Sequence, residues 1–268
     1  MRGDGSEKER VAMTPSEILK ALSQGHERWP GDALEAASSQ RSKVSLLLLE
    51  KLAQAVAEIE RIEAAGFPKP SLKRFLKAPS PLFYGVFLLA DWGEKAAYRS
   101  FARLMRFPWV AHDNLLGEPA IEEPGYRITA SLFDGDPQFI FDIILDVGAD
   151  PSVRFWQWHA LTLIGLEGNL DRTVAADFAR HAFGKLSPDE EKSLIWAGWE
   201  KLISRLALTE LAPLVRKAHD ADLLVESTYE EFQQDLEYAV AHPDAPCRPG
   251  DELAALAGVR ELEPWVEL

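Results

Sequence analysis

Apolar residues recur at three- and four-residue steps along most of this chain, which is the spacing of one face of an α-helix. The clearest run is Val44, Leu48, Leu52, Val56, Ile59 and Ile62, which predicts a long helix from about Ser42 to Gly66, where glycine supplies a natural stop. Upstream, Thr14-Pro15-Ser16-Glu17 has the residue types of a helix start: Thr14 as N-cap, Pro15 at the first helical position, Glu17 as the reciprocal acid. Ile18, Leu19 and Leu22 then form the apolar side of a short helix, and a second start follows at Trp29-Pro30-Gly31-Asp32. No segment alternates apolar and polar residues in the manner of a strand, so the fold class predicted is all-α.

From Pro81 onward the pattern repeats. Helical runs at Leu82–Ala90 and Ala96–Phe107, Ile128–Phe133 and Phe139–Val147, Val153–Leu166 and Val174–Phe183, and Leu194–Leu206 and Leu211–Ala218 are paired across short turns. Measured turn to turn, the offsets are about 43, 34 and 41 residues, within the range of stacked helix-pair repeats. The expected architecture is therefore an α-solenoid of stacked antiparallel helix pairs. It divides into a tail at 1–13, a single helical-repeat domain at 14–241, and a loop and C-terminal tail at 242–268. Ser227-Thr228-Tyr229-Glu230-Glu231 opens the last helix, and the proline-rich stretch from His242 to Gly250 ends the stack. A short helical stretch is expected at Leu253–Leu256.

Charge narrows the classes of partner. With 43 acidic and 29 basic residues among 268, the formal charge is -14. A field of that sign repels phosphate backbones, so neither nucleic acid nor an anionic membrane is the expected partner; a protein, preferably a basic one, is. The single cysteine, Cys247, excludes an internal disulfide and a multi-cysteine zinc site. The N-terminal stretch is polar, and the longest apolar run, Leu82 to Ala90, is far short of the ~20 residues that span a bilayer. The expected location is cytoplasmic.

Three blocks carry a family resemblance: Glu17-Ile18-Leu19-Lys20-Ala21-Leu22-Ser23, then Trp29-Pro30-Gly31-Asp32-Ala33-Leu34-Glu35-Ala36-Ala37, and Ala130-Ser131-Leu132-Phe133-Asp134-Gly135-Asp136. Together they resemble the bacterial family called domain of unknown function 1186, over about Thr14 to Leu224. The resemblance implies an all-helical fold of the HEAT and armadillo class. It brings no catalytic residues. Some relatives append a cysteine-rich, zinc-binding tail, for which this chain lacks the cysteines.

Several constellations have both a functional and a structural reading. Asp134-Gly135-Asp136-Pro137 shares the opening of a calcium loop, but Phe139 falls where the sharp-turn glycine belongs and Leu145 where the bidentate glutamate belongs. Helix capping explains it: Gly135 in a left-handed turn, Asp136 as cap, Pro137 first in the helix. Glu122 and Glu123 are adjacent acids, read as an acidic rim and retained as candidate binding residues; neighbours in sequence do not share a helix face. His26-Glu27 and His112-Asp113 are isolated pairs, so no metal site and no cofactor are expected.

The run Trp156-Gln157-Trp158-His159, with Trp196 and Trp199 one unit later, is apolar nearly all round its helix. That favours burial between neighbours, while one or two of the rings on a concave surface would be binding anchors. Nucleophile elbows, phosphate loops and dinucleotide fingerprints are missing. The leading expectation is a non-enzymatic helical-repeat scaffold that binds a protein partner. The alternatives are an enzyme on a HEAT-like scaffold, either a metal-dependent hydroxylase or a glycosylase-like protein, and a small-molecule sensor with a Trp-lined cavity.

Overall fold

The computed structural model describes residues 13–24, 29–107, 115–116, 125–186, 193–251 and 253–266. Among these residues the protein is all-helical, without a strand. The acids Glu122 and Glu123, the pairs His26-Glu27 and His112-Asp113, and all but the last residue of the tail at 1–13 lie outside the described residues.

Thirteen labels suffice. They are α1 (Pro15–Leu22), α2 (Gly31–Ser39), α3 (Arg41–Ala64), α4 (Lys69–Leu76), α5 (Leu82–Asp91), α6 (Tyr98–Met105), α7 (Gly125–Leu132), α8 (Gln138–Leu145), α9 (Pro151–Leu166), α10 (Arg172–Phe183), α11 (Ser193–Arg205), α12 (Ala212–Asp220) and α13 (Tyr229–Ala241). Local chemistry sets their ends. Thr14 and Glu17 form a reciprocal capping box, and Thr228 and Glu231 form a second. Asp150 and Asp171 each accept a hydrogen bond from the backbone N–H two residues on.

In the acidic turn Gly135 has φ +102°, Asp134 Oδ1 accepts from the Asp136 N–H at 3.0 Å, and Asp136 Oδ1 accepts from the Gln138 N–H at 3.1 Å. Arg99 of α6 reaches Asp134 at 3.0 Å, tying this turn to the preceding unit. All of its carboxylates are thus engaged in capping and cross-linking.

Helices α3, α5, α7, α9, α11 and α13 touch in succession and form one rank. On the other side α3, α6 and α8 touch in succession, and Phe141 of α8 stacks on Phe178 of α10 with ring centroids 3.8 Å apart. The core lies between these rows. Its tightest crossing is α9 on α11: a Cβ added at Gly198 would sit 2.8 Å from both Cβ and Cδ1 of Trp158, so only glycine admits the indole. Buried Arg154 donates from Nε to the carbonyl of Ile144 at 2.7 Å, satisfying an orphan acceptor at the end of α8.

The tail departs from expectation. Leu253–Leu256 is not helical; the first helical turn is a 3₁₀ turn at Val259–Leu262, followed by one α-turn at Glu263–Val266. A stretch of four residues cannot meet the cost of helix nucleation by itself, and here tertiary docking dictates its path. No helix among the described residues is long and apolar enough to cross a membrane.

Candidate functional site

The helical spacing of α9 distributes its aromatic run over several faces. Trp158 points at α11 and is fully buried. Trp196 and Trp199 of α11 turn instead toward Phe183 of α10, at centroid separations of 5.8 and 5.6 Å, and are buried too. The Trp199 indole N–H donates to the carbonyl of Ala179 at 2.8 Å. These three rings are therefore covered packing residues, and no ligand reaches them without opening the core. Trp156 is only half-buried; it stacks on Tyr126 of α7 at 5.9 Å, with His159 edge-on to the same ring at 5.6 Å.

His159 is the unusual member. Both ring nitrogens are buried without a hydrogen-bond partner. Burial lowers its proton affinity most, Arg205 and Lys201 lower it further, and Asp251 only partly opposes them; the result is a pKa near 3. The imidazole is neutral at physiological pH.

Those charged neighbours introduce the feature that dominates this face. From Arg248 the chain doubles back across the rank α13, α11, α7, α5, against the order in which the helices were laid down. Arg248 pairs with Asp235 of α13. Asp251 Oδ1 then meets Arg205 Nη2 at 2.8 Å and Lys201 Nζ at 3.3 Å, both on α11. Glu261 Oε2 meets Arg127 Nη2 of α7 at 2.6 Å, and the 3₁₀ turn Val259–Leu262 packs on α5. At Gly258, φ is +119° and an added Cβ would lie 3.0 Å from Asp91 Oδ1, so the backbone itself presses on the end of α5.

We call residues 248–266 the strap. Its apolar residues Leu253, Leu256, Val259 and Leu262 recur every third position; the last two are buried and the first two half-buried. Burial would raise the Asp251 carboxyl, but Arg205 and Lys201 outweigh it and hold the group below the usual carboxylate range.

Between the start of the strap, α11 and α13 lies a cleft of about 420 Å³, bordered by Glu200, Lys201, Ser227, Asp235, Arg248 and Asp251. Glu200 is buried at its wall, 2.8 Å from His219 Nε2, and accepts from the Ser227 hydroxyl at 2.6 Å. The hydroxyl donates its hydrogen bond to the carboxylate, and the imidazole meets the carboxylate's other oxygen, so this is no nucleophile–base relay. It cross-links α11, α12 and the loop before α13. Among the described residues no three His, Cys, Asp or Glu side chains group in a way that could hold a metal ion.

A family model described as "Protein of unknown function (DUF1186)" matches residues 13–242. The chain belongs to this family. The DUF1186 match runs from the cap of α1 through the end of α13, and so includes every helix of the rank and every cation beneath the strap. The strap itself lies beyond the matched DUF1186 stretch. No curated protein and no solved structure matches the chain.

Arg127, Lys201 and Arg205 escaped the sequence reading because nothing in their spacing links residues on two helices so far apart in sequence. The strap left a faint signal of its own, acids at 251 and 261 bracketing apolar residues at every third position.

Proposed function

We propose that this protein is a non-enzymatic helical-repeat scaffold, an α-solenoid of the HEAT and armadillo kind, which holds a protein partner along the face crossed by the strap. The observation that carries the reading is the unbroken rank of α3, α5, α7, α9, α11 and α13 with a chain segment lying across it. Stacked helix pairs present a long surface suited to an extended ligand without a dedicated pocket. Half-buried Trp156 and Phe155, which pack on the buried His159, supply aromatic area of the kind that anchors interfaces. Of the buried rings, Trp158 holds α9 on α11 within the rank, while Trp196 and Trp199 hold α11 against α10; none of them takes a direct part in binding.

The test is affinity capture from a cell extract with the full chain as bait, at low and at high salt. A discrete, stoichiometric partner is expected, retained better at low salt if charged groups steer the encounter. Failure to retain any protein under either condition would count decisively against a partner-binding role.

A further inference from the structure

The strap is itself a sample of what the face beneath it recognises. It offers carboxylates at Asp251 and Glu261 to Arg205, Lys201 and Arg127, and an apolar residue at every third position between them. Yet it serves the cations incompletely. Arg205 has only 6% of its side chain exposed, but its Nε and Nη1 have no acceptor, and the Nε of Arg127 is likewise buried and unpaired. Both guanidiniums use Nη2 toward the strap. A guanidinium is built to grip a carboxylate with two parallel N–H groups, so each arginine retains unused binding capacity in a place where unsatisfied donors are costly.

We infer that the strap face is a docking site for an acidic, extended segment of a partner protein, with carboxylates flanking leucine- or valine-type residues, and that the strap is its built-in competitor. This rests on the partner-binding reading above and gives the partner a chemistry.

Three observations support it independently of each other. The face gathers three cations, Arg127, Lys201 and Arg205, against two carboxylates, so at contact it favours an acid even though the net charge of -14 favours a basic partner at a distance. The occupant lies outside the stretch, 13–242, that the family model matches, so the face belongs to the matched region and its cover does not. The buried donors of Arg205 and Arg127 are left over for a better-fitting acid. Tethering gives the strap an effective concentration on the order of millimolar, so a free segment enters only if it binds more tightly or the strap is weakened.

The experiment uses the full chain and a fluorescent synthetic peptide of residues 248–266 as probe, followed by fluorescence anisotropy. Asp251→Lys with Glu261→Lys sets both strap anchors against their arginines. This variant should bind the peptide at least ten-fold more tightly than the wild type, and adding Arg205→Glu should abolish the gain. A peptide with lysine at both acidic positions should not bind.

A second route leaves every strap and groove residue native. A protease site is inserted between Asp244 and Ala245 and cut, and the labelled peptide should then exchange with the severed strap. Equal affinity for wild type and variant, together with no exchange after cutting, would overturn the proposal. So would a strap-weakened chain that dimerises without peptide, because the occupant would then be a second copy. A partner captured from extract while the peptide fails to enter leaves the scaffold reading standing and removes this one; peptide entry with nothing captured removes both, because the face would then hold only its own strap.

Discussion

His159 makes the protein's stability depend on pH below the ordinary histidine range, alongside the carboxylates that titrate lower down. Its proton affinity falls from the ordinary 6.5 to about 3, through burial first, then Arg205 and Lys201 on α11, with Asp251 of the strap opposing. The native state therefore holds a neutral ring, while the unfolded chain takes up a proton as pH drops below 6.5. Stability from this group is fully present above 6.5 and is lost progressively down to about 3. The whole interval corresponds to about 5 kcal/mol, and the part between pH 6.5 and 5 to about 2 kcal/mol. That is a large share of the roughly 5–15 kcal/mol typical of a domain.

The perturbation is His159→Phe, which keeps a ring against Tyr126, Phe155 and Trp156 but cannot titrate. Urea unfolding of wild type and variant is followed at pH 7.5, 6.5, 5.5 and 5. Any packing cost of the phenyl ring is the same at each pH, so only the difference between the two curves matters. The variant should gain about 2 kcal/mol relative to wild type between pH 7.5 and 5. Parallel curves would refute the argument that this imidazole is held neutral beneath the strap.

Gly198→Ala would place a methyl 2.8 Å from the Trp158 ring system at the α9–α11 crossing, and should cost about 1–3 kcal/mol in urea unfolding with a changed tryptophan emission; an unaltered midpoint would show that the crossing yields freely. Arg154→Met keeps the stem but strips the hydrogen bond to the Ile144 carbonyl, and should cost about 1–3 kcal/mol. A neutral or stabilised Arg154→Met protein would mean that desolvation of the buried guanidinium outweighs its hydrogen bond. Binding of the strap peptide to the strap-weakened chain should change less than ten-fold between 50 and 300 mM salt, because Arg205 is buried and poorly screened; a steep fall would place the contact on exposed charge.

The helices were legible because their signals are local. Thr14 to Glu17 and Thr228 to Glu231 are four-residue devices, and both form as capping boxes. The Val44 to Ile62 periodicity reads directly as the buried face of α3. Asp134-Gly135-Asp136 is a turn whose residue types dictate its backbone, although the clamp from Arg99 is a tertiary addition that spacing could not foretell. The tryptophans were ambiguous for a physical reason: a helix apolar on all sides tells that it is surrounded, not by what. Which rings are covered depended on Gly198 in one neighbour and Phe183 in another.

The strap and its cations were illegible for a different reason. A formal charge of -14 is a sum over the surface, and it speaks to fields felt at a distance. Recognition at contact depends on placement. Arg127 and Arg205 stand 78 positions apart in sequence, and only the succession of α7, α9 and α11 brings them onto one path. The excess of carboxylates that hides them in the average includes the two that cover them, Asp251 and Glu261. An acidic chain can thus keep a cationic face by folding its own acid over it. Such a face would be revealed only when the strap moves, and it would then select a partner of the same sign as the protein's own net charge.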